Sequence, residues 1–157
     1  MNDTIQIRKA TIADAAIIAE FNSAMAFETE RKHLDTDTIN AGVSNLFKHP
    51  EYGFYIVAES DHRVCGCLLI TYEWSDWRNG LIWWIQSVYI HPDYRRQGIY
   101  RQMYAFIKNL AKNENNVRGF RLYVEKENRI AQETYESLGM RETVYKLYEE
   151  LINIGKK

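Results

Sequence analysis

The sequence predicts an α+β fold (mixed α/β): a central, mostly antiparallel twisted sheet flanked by about four helices, in the order β-α-α-β-β-β-α-β-α-β. Three observations predict it. Several short runs alternate apolar and polar residues with period two, and four longer stretches repeat apolar residues with the helical period. No internal repeat, linker or compositional break interrupts the 157 residues, so a single domain, 1–157, is expected around one core. With 46% hydrophobic, 26% charged and 13% aromatic residues, the chain can bury enough apolar surface to fold unaided.

Ile5, Gln6, Ile7 and Arg8 alternate as a short strand. Thr11 with Asp14 resembles a capping box with a shortened acid, and Ile17, Phe21, Ala24 and Met25 then mark a helix over about 12–28. Ile39, Val43, Leu46 and Phe47 repeat that spacing until Pro50, which cannot continue a helix. The β-rich runs 54–58 and 64–70 flank a polar tetrapeptide, 60–63, and read as a hairpin. A second turn, 75–80, leads into a long strand over 81–91. Ile99, Met103, Phe106, Ile107 and Leu110 give a helix that starts directly after Gly98. Phe120, Leu122 and Val124 form a strand; Ile130, Ala131, Thr134, Tyr135 and Leu138 form a helix closed by Gly139; Thr143, Tyr145 and Leu147 alternate as a final strand.

The net charge is −1, which argues against a basic surface for nucleic acid. The distribution is uneven. Residues 95–129 hold nine basic and three acidic side chains, a local excess of +6 that leaves −7 for the remainder. Such a split suits a polyanionic cofactor in one place and a cationic substrate in another, although scattered solvated charges read equally well. The longest apolar run, 64–70, is far short of the roughly 18 residues of a membrane span. The amino-terminal residues carry neither a basic start nor an apolar stretch, so a cytoplasmic location without membrane association is expected. Cys65 and Cys67, two apart in a strand, should share a face at the far edge of disulfide geometry and remain reduced. The histidines at 33, 49, 62 and 91 show no HExxH or HxxxH spacing, so no metal is expected.

The junction from strand 81–91 through Arg95, Arg96, Gln97 and Gly98 into a helix carries the most chemistry. A helix start presents unpaired N–H groups and partial positive charge, and a glycine lets a bulky anion approach the backbone. Arg101 adds a further cation. Phosphate binding is the functional reading, weighed evenly against an ordinary strand–turn–helix. Neither a P-loop nor a GxGxxG pattern is present.

Arg95-Arg96-Gln97-Gly98-Ile99-Tyr100 resembles the (Gln/Arg)-x-x-Gly-x-(Gly/Ala) phosphate loop of the GCN5-related N-acetyltransferases, the GNAT family, except at Tyr100. Residues 87–94 resemble that family's fourth strand. Residues 128–140 resemble its N-x-x-A-x-x-x-Y-x-x-x-G segment. The three motifs occur in the family's order across nearly the whole chain. Tyr100 stands where the family favours a small residue, so its ring must turn outward from the pyrophosphate path.

The resemblance implies acetyl-CoA as co-substrate, with Arg95, Arg96, Gln97, Gly98, Ile99, Tyr100 and Arg101 around its pyrophosphate. It implies that the Val88 N–H polarises the thioester carbonyl, that Ile90 pairs with the pantetheine arm, and that Asn128 holds that arm further along. A fixed N–H aimed at an oxygen that gains negative charge is sound electrostatic catalysis. Tyr135 is the family's candidate acid, set against an ordinary core tyrosine on the Ala131-Tyr135-Leu138 stripe. No GxSxG elbow or Cys–His pair suggests a covalent intermediate.

Strict alternation puts Trp84, Gln86 and Val88 on one face of strand 81–91 and Trp83, Ile85 and Ser87 on the other, with no carboxylate on either. The base must come from elsewhere or act through water. In the family the acceptor site is flanked by the regions that here hold Glu28, Glu30 and Glu73, although a solvated surface acid is the commoner fate of each. Trp74, Trp77, Trp83 and Trp84 crowd near Glu73 and Asp76. Trp74 and Trp77, expected in a turn, suit cation–π capture of an amine, whereas Trp83 or Trp84 suits the core. The acceptor residues are thus Glu28, Glu30, Glu73, Trp74, Trp77, Trp84 and Gln86.

The first functional expectation is transfer of acetyl to a primary amine, on a small molecule, by direct attack. A peptide or lysine acceptor is the alternative within the family. An acyl-CoA-binding regulatory module without turnover is the alternative outside enzymes, and a homodimer is a possible assembly.

Overall fold

Why the chain turns where it does is visible at its caps. In the computed structural model, which describes residues 4–152, β1 (Ile5–Lys9) leads to a 3-10 turn (Ile12–Asp14) and α1 (Ala15–Glu30). The Asp14 carboxylate accepts the Thr11 N–H at 2.8 Å and a two-pronged donation from Arg8 at 2.8 and 3.0 Å. The expected capping acid therefore also ties the helix start to the sheet. Asp35 caps α2 (Thr36–Lys48) by accepting the Thr38 N–H at 3.0 Å.

Strands β2 (Gly53–Ser60), β3 (Arg63–Ser75) and β4 (Gly80–Ile90) form a continuous antiparallel meander. Asp61 and His62 both adopt positive φ, 49° and 63°, as a two-residue hairpin turn requires. The β3–β4 turn is clamped by Arg118, which donates to the Arg78 and Asn79 carbonyls at 3.1 Å. After α3 (Ile99–Lys112), β5 (Val117–Leu122) pairs parallel to β4. The sheet order is β1-β2-β3-β4-β5, the mixed, mostly antiparallel sheet that the sequence predicts.

Helices α1 and α2 cover one face, where Ile18, Phe21 and Val43 pack against Tyr55, Val57, Cys67 and Tyr89. On the other face the α3 residue Tyr104 meets Phe120 edge-on at 5.8 Å, and Trp83 sits between Phe120 and Phe54. A bulge leaves Cys65 without a ladder partner between Val64 and Gly66, so the two cysteines do not follow the simple alternation expected of them. Both thiols are free and buried, and burial pushes the Cys67 thiol up to about 12.

These elements form a first unit that ends at Tyr123; a second begins at Val124. The second contains α4 (Arg129–Ser137). The Asn128 side chain accepts the Ala131 N–H at 3.2 Å, and at the far end Gly139 has φ 97° while the Met140 N–H reaches the Tyr135 carbonyl at 3.0 Å. That is the glycine helix stop the sequence predicts.

The final predicted strand does not form. Residues 141–152 are all exposed and contribute no strand, because alternation alone cannot make a strand without a ladder partner. Among the described residues no helix is long and apolar enough to cross a membrane.

Candidate active site

Strand β4 departs from alternation at one point, and the candidate site follows from it. Cys67 pairs with Tyr89 and Leu69 with Gln86, so two residues, Ser87 and Val88, oppose the single Leu68. Ser87 takes φ 51°. This β-bulge shifts the phase by one residue, and Tyr89 now shares the face of Trp84 and Gln86. The prediction that Val88 faces the same way as Gln86 is therefore corrected: the bulge puts Val88 on the opposite face. Strand β5 pairs with β4 only as far as Ile85. Beyond the bulge, the outer edge of β4 has no strand partner among the described residues.

The chain then passes through a 3-10 turn (Pro92–Tyr94) and an exposed loop, 95–98, into α3. Arg96 and Gly98 both adopt positive φ, 65° and 75°. Gly98 occupies the cap position, no side chain caps the helix, and a Cβ at Gly98 would meet nothing within 4 Å. The N–H groups of Ile99, Tyr100 and Arg101 thus open a helix that lacks a side-chain acceptor, beside open space. Arg96, Gln97 and Arg101 are exposed around it. Tyr100 runs along the helix and stacks on Tyr104, with centroids 6.2 Å apart and planes 11° from parallel. Its bulk is thus carried against the next turn of α3, and the residues present fit an anionic cofactor.

Arg95 is occupied differently from the expectation. Its guanidinium donates to Glu28 at 2.9 Å and to the Ile90 carbonyl at 2.8 Å, and lies 5.3 Å over the Tyr89 ring. Tyr89 in turn donates to the other Glu28 oxygen at 2.7 Å. The Tyr89 hydroxyl, helped by Arg95, holds the Glu28 carboxyl below its ordinary range. Burial, then the neighbouring carboxylate, pushes the Tyr89 phenol up.

A second polar group lies on β3, β4 and β5. Glu73 accepts from Trp84 Nε1 at 2.7 Å and from Arg121 at 3.0 Å. The Trp84 hydrogen bond, then Arg121, holds its carboxyl low. Trp84 also packs on Tyr123 at 4.6 Å, and Gln86 donates to Thr71 at 2.5 Å. Glu73, Trp84 and Gln86 share one face, by register with Ile82, Thr71 and Leu69.

The remaining acceptor candidates separate from this group. Trp74 and Glu73 lie in β3 rather than in the turn, because the hairpin ladder continues to Ser75 opposite Gly80. Alternation puts Trp74 on the face away from Glu73. Trp77, in the turn, is 88% exposed, and Glu30 pairs with Lys32 in solvent. The four tryptophans therefore form no common cage. In the second unit, Asn128 caps α4, and Tyr135 is half-buried on it, its phenol pushed up by burial.

Tyr89, Arg121 and the Ser87 bulge escaped the sequence reading. A serine gives no signal of a positive φ. The other two side chains acquire their partners through register, and the parallel pairing of Trp84 with Arg121 is the one signal that a sheet alignment could have supplied.

An acetyltransferase (GNAT) family model matches residues 16–140. A possible acetyltransferase from Clostridium difficile 630 is 46% identical, with a TM-score of 0.88 over 95% of this chain and 98% of that one. A predicted acetyltransferase with acetyl-CoA from Clostridium acetobutylicum is 18% identical, with a TM-score of 0.76 over 94% and 96% of the two chains. An aminoglycoside N-acetyltransferase in complex with CoA is 17% identical, with the same TM-score over 96% and 97%; these two share the fold. No curated protein matches the chain in sequence. The family match over most of the length and the 46% identical structure agree with the bulged strand and open helix start: the chain belongs to the GNAT family of acetyltransferases.

Proposed function

We propose that this protein is an acetyl-CoA-dependent N-acyltransferase acting on a primary amine of a small molecule. The observation that carries the reading is the Ser87 bulge, which ends the β4–β5 pairing at Ile85 on the strand that feeds the uncapped start of α3. Bound acetyl-CoA supplies an activated acyl group as a thioester. The chain's own part is to hold and orient. The N–H groups of Ile99, Tyr100 and Arg101 receive the pyrophosphate, with Arg96, Gln97 and Arg101 adding polar and cationic side chains. The Val88 N–H orients the thioester carbonyl and stabilises charge that develops on its oxygen, while Ile90 pairs with the pantetheine arm and Asn128 meets it further along. The Tyr135 hydroxyl donates toward the departing sulfur.

Glu28 and Glu73 are ionised near neutral pH, so their work is to attract and orient a cationic amine, with Trp84 and Gln86 beside them. The amine loses its proton to water. This same finding supports a second reading, an acyl-CoA-binding regulatory module, since neither carboxylate has the raised pKa of a general base. Release of free thiol with a panel of small amines and a lysine peptide separates the readings. Turnover with a small amine is expected. Tight cofactor binding without turnover on any acceptor would select the module, and turnover confined to the peptide would select a protein acceptor.

A further inference from the structure

The polar group on β3, β4 and β5 holds more donors than it uses. Arg121 places Nη1 alone on Glu73, at 3.0 and 3.1 Å from its two oxygens. Among the described residues its Nε and Nη2 groups donate to nothing, and its side chain is 30% exposed. Those two nitrogens form one flat edge of the guanidinium, which matches a carboxylate through two parallel hydrogen bonds. Glu73 already accepts from Trp84 and Arg121, so the ion pair has no net charge and offers a visitor a dipole, with an acceptor on one side and a donor edge on the other. Beside it Tyr123, 54% exposed, continues the aromatic wall of Trp84.

From this we infer that the amine acceptor also carries a carboxylate, and that Arg121 selects it by binding that carboxylate through its free edge. The inference rests on the acyltransferase reading above and narrows its substrate class. A carboxylate suits the place better than a phosphate, because Glu73 stands against the same guanidinium and repels a dianion more strongly than a monoanion. The register sets how far apart the two groups of the acceptor lie. Arg121 is level with Trp84, four residues before Val88 on β4, which is about 10 Å along a bulged strand. An ω-amino acid spans such a gap, and an α-amino acid reacting at its α-amine does not.

The test compares ε-aminocaproate, its primary amide and hexamethylenediamine on the full chain, by thiol release with acetyl-CoA and by calorimetric titration with CoA bound. The wild type should prefer the carboxylate over the amide at least about tenfold in kcat/KM and in Kd, the worth of one charge-assisted pair. Arg121→Gln should bring that ratio to about one and make the diamine the best of the three, since Glu73 then stands without its cation. Arg121→Lys keeps the charge but not the flat edge, and should lose part of the preference even where the glutamine variant folds poorly. Equal handling of acid and amide by the wild type overturns the inference, as does full selectivity in the lysine variant. So does an equal loss for all three acceptors in Arg121→Gln, which would make Arg121 only a support for Glu73. Turnover without a carboxylate preference would sink this inference and keep the acyltransferase reading, whereas a preference in Kd without turnover on any acceptor would do the reverse.

Discussion

The Tyr89 hydroxyl donates to Glu28 across 61 residues of sequence, at 2.7 Å, and joins the end of α1 to the strand just past the bulge. Arg95 completes the contact from the loop that begins the α3 entry. One carboxylate therefore fixes the positions of a helix end, a strand and a loop. Tyr89→Phe keeps the Phe21 ring contact at 5.0 Å but removes this link. Because Glu28 is partly exposed, the loss should be about 1 kcal/mol, or about 2–4 °C in melting temperature for a chain of this size. The Glu28 carboxyl should then titrate closer to its ordinary value, which carboxylate NMR would follow. An unmoved titration would show that Arg95 alone holds it.

Cofactor binding at the start of α3 makes a prediction about Gly98. Acetyl-CoA at about a hundred times its dissociation constant should stabilise the wild type by about 2.7 kcal/mol, or about 5–10 °C. Gly98→Trp fills the open space beside the helix start and should abolish most of that ligand-induced shift. The substitution also forces a side chain into positive φ, so its baseline falls by about 1–2 kcal/mol. The comparison is therefore between shifts, not between melting temperatures. The shift should also shrink as salt rises, since phosphate attraction at an exposed loop is screened.

Glu73 and Trp77 were expected to share one amine, and the structure separates them. Glu73 is fixed by Trp84 and Arg121, while Trp77 is 88% exposed in a turn. If Glu73 orients the acceptor, Glu73→Gln should raise the acceptor KM about tenfold with cofactor affinity intact, because one charge-assisted contact is worth about 1.5 kcal/mol or more. Trp77→Ala should change KM less than about twofold, as befits a solvated surface residue. Equal effects in steady-state kinetics would return Trp77 to the site.

How far the sequence could be read follows from the same places. Elements α1, α2, α3 and α4 were legible because their caps and periods are local: Thr11 with Asp14, the break at Pro50, Gly98, and Gly139. The β2–β3 hairpin was legible for the same reason. Alternation failed at Cys65 and Ser87, since a bulge is decided by the neighbouring strand and neither residue announces it. It failed again at Thr143, Tyr145 and Leu147, where the period is right but no ladder partner lies in the described chain. In the site, the loop was legible from one glycine and its arginines. The commitment of Arg95 to Glu28 was not, because 67 residues separate them.

Acid should unpick the tie at the start of α1. Hydrogen bonds from Arg8, aided by the Thr11 N–H, hold the Asp14 carboxyl below its ordinary range. A depressed folded-state pKa contributes stability above the unfolded value, near 3.9 for aspartate, and that contribution is lost as pH falls through the folded value. Arg8→Met leaves Asp14, which is 6% exposed, with only its Thr11 donors, and should cost about 1–3 kcal/mol at pH 7. The gap between wild type and variant in urea unfolding should narrow as pH falls below about 4. A gap that stays constant or widens would mean that the Arg8–Asp14 pair does not set this pH dependence.

Tyr135 tests the departure step itself. Burial pushes its phenol above the ordinary value, so at neutral pH it stays protonated, as a donor must. A raised pKa also makes it a poorer acid than a free phenol, and against a thiolate of pKa about 8.5 it would donate a hydrogen bond rather than surrender its proton. Tyr135→Phe keeps the ring on α4 and deletes only the hydroxyl. General-acid help is typically worth about 10²–10⁴ in rate, so kcat should fall at least about tenfold even if hydrogen bonding replaces transfer. Cofactor affinity and melting temperature should barely change. The wild-type kcat should show no loss up to at least pH 9, because deprotonation of this donor lies above its ordinary pKa near 10. Near-normal kcat in the phenylalanine variant would remove Tyr135 from the reaction, and parallel losses of stability and activity would make it a packing residue of α4.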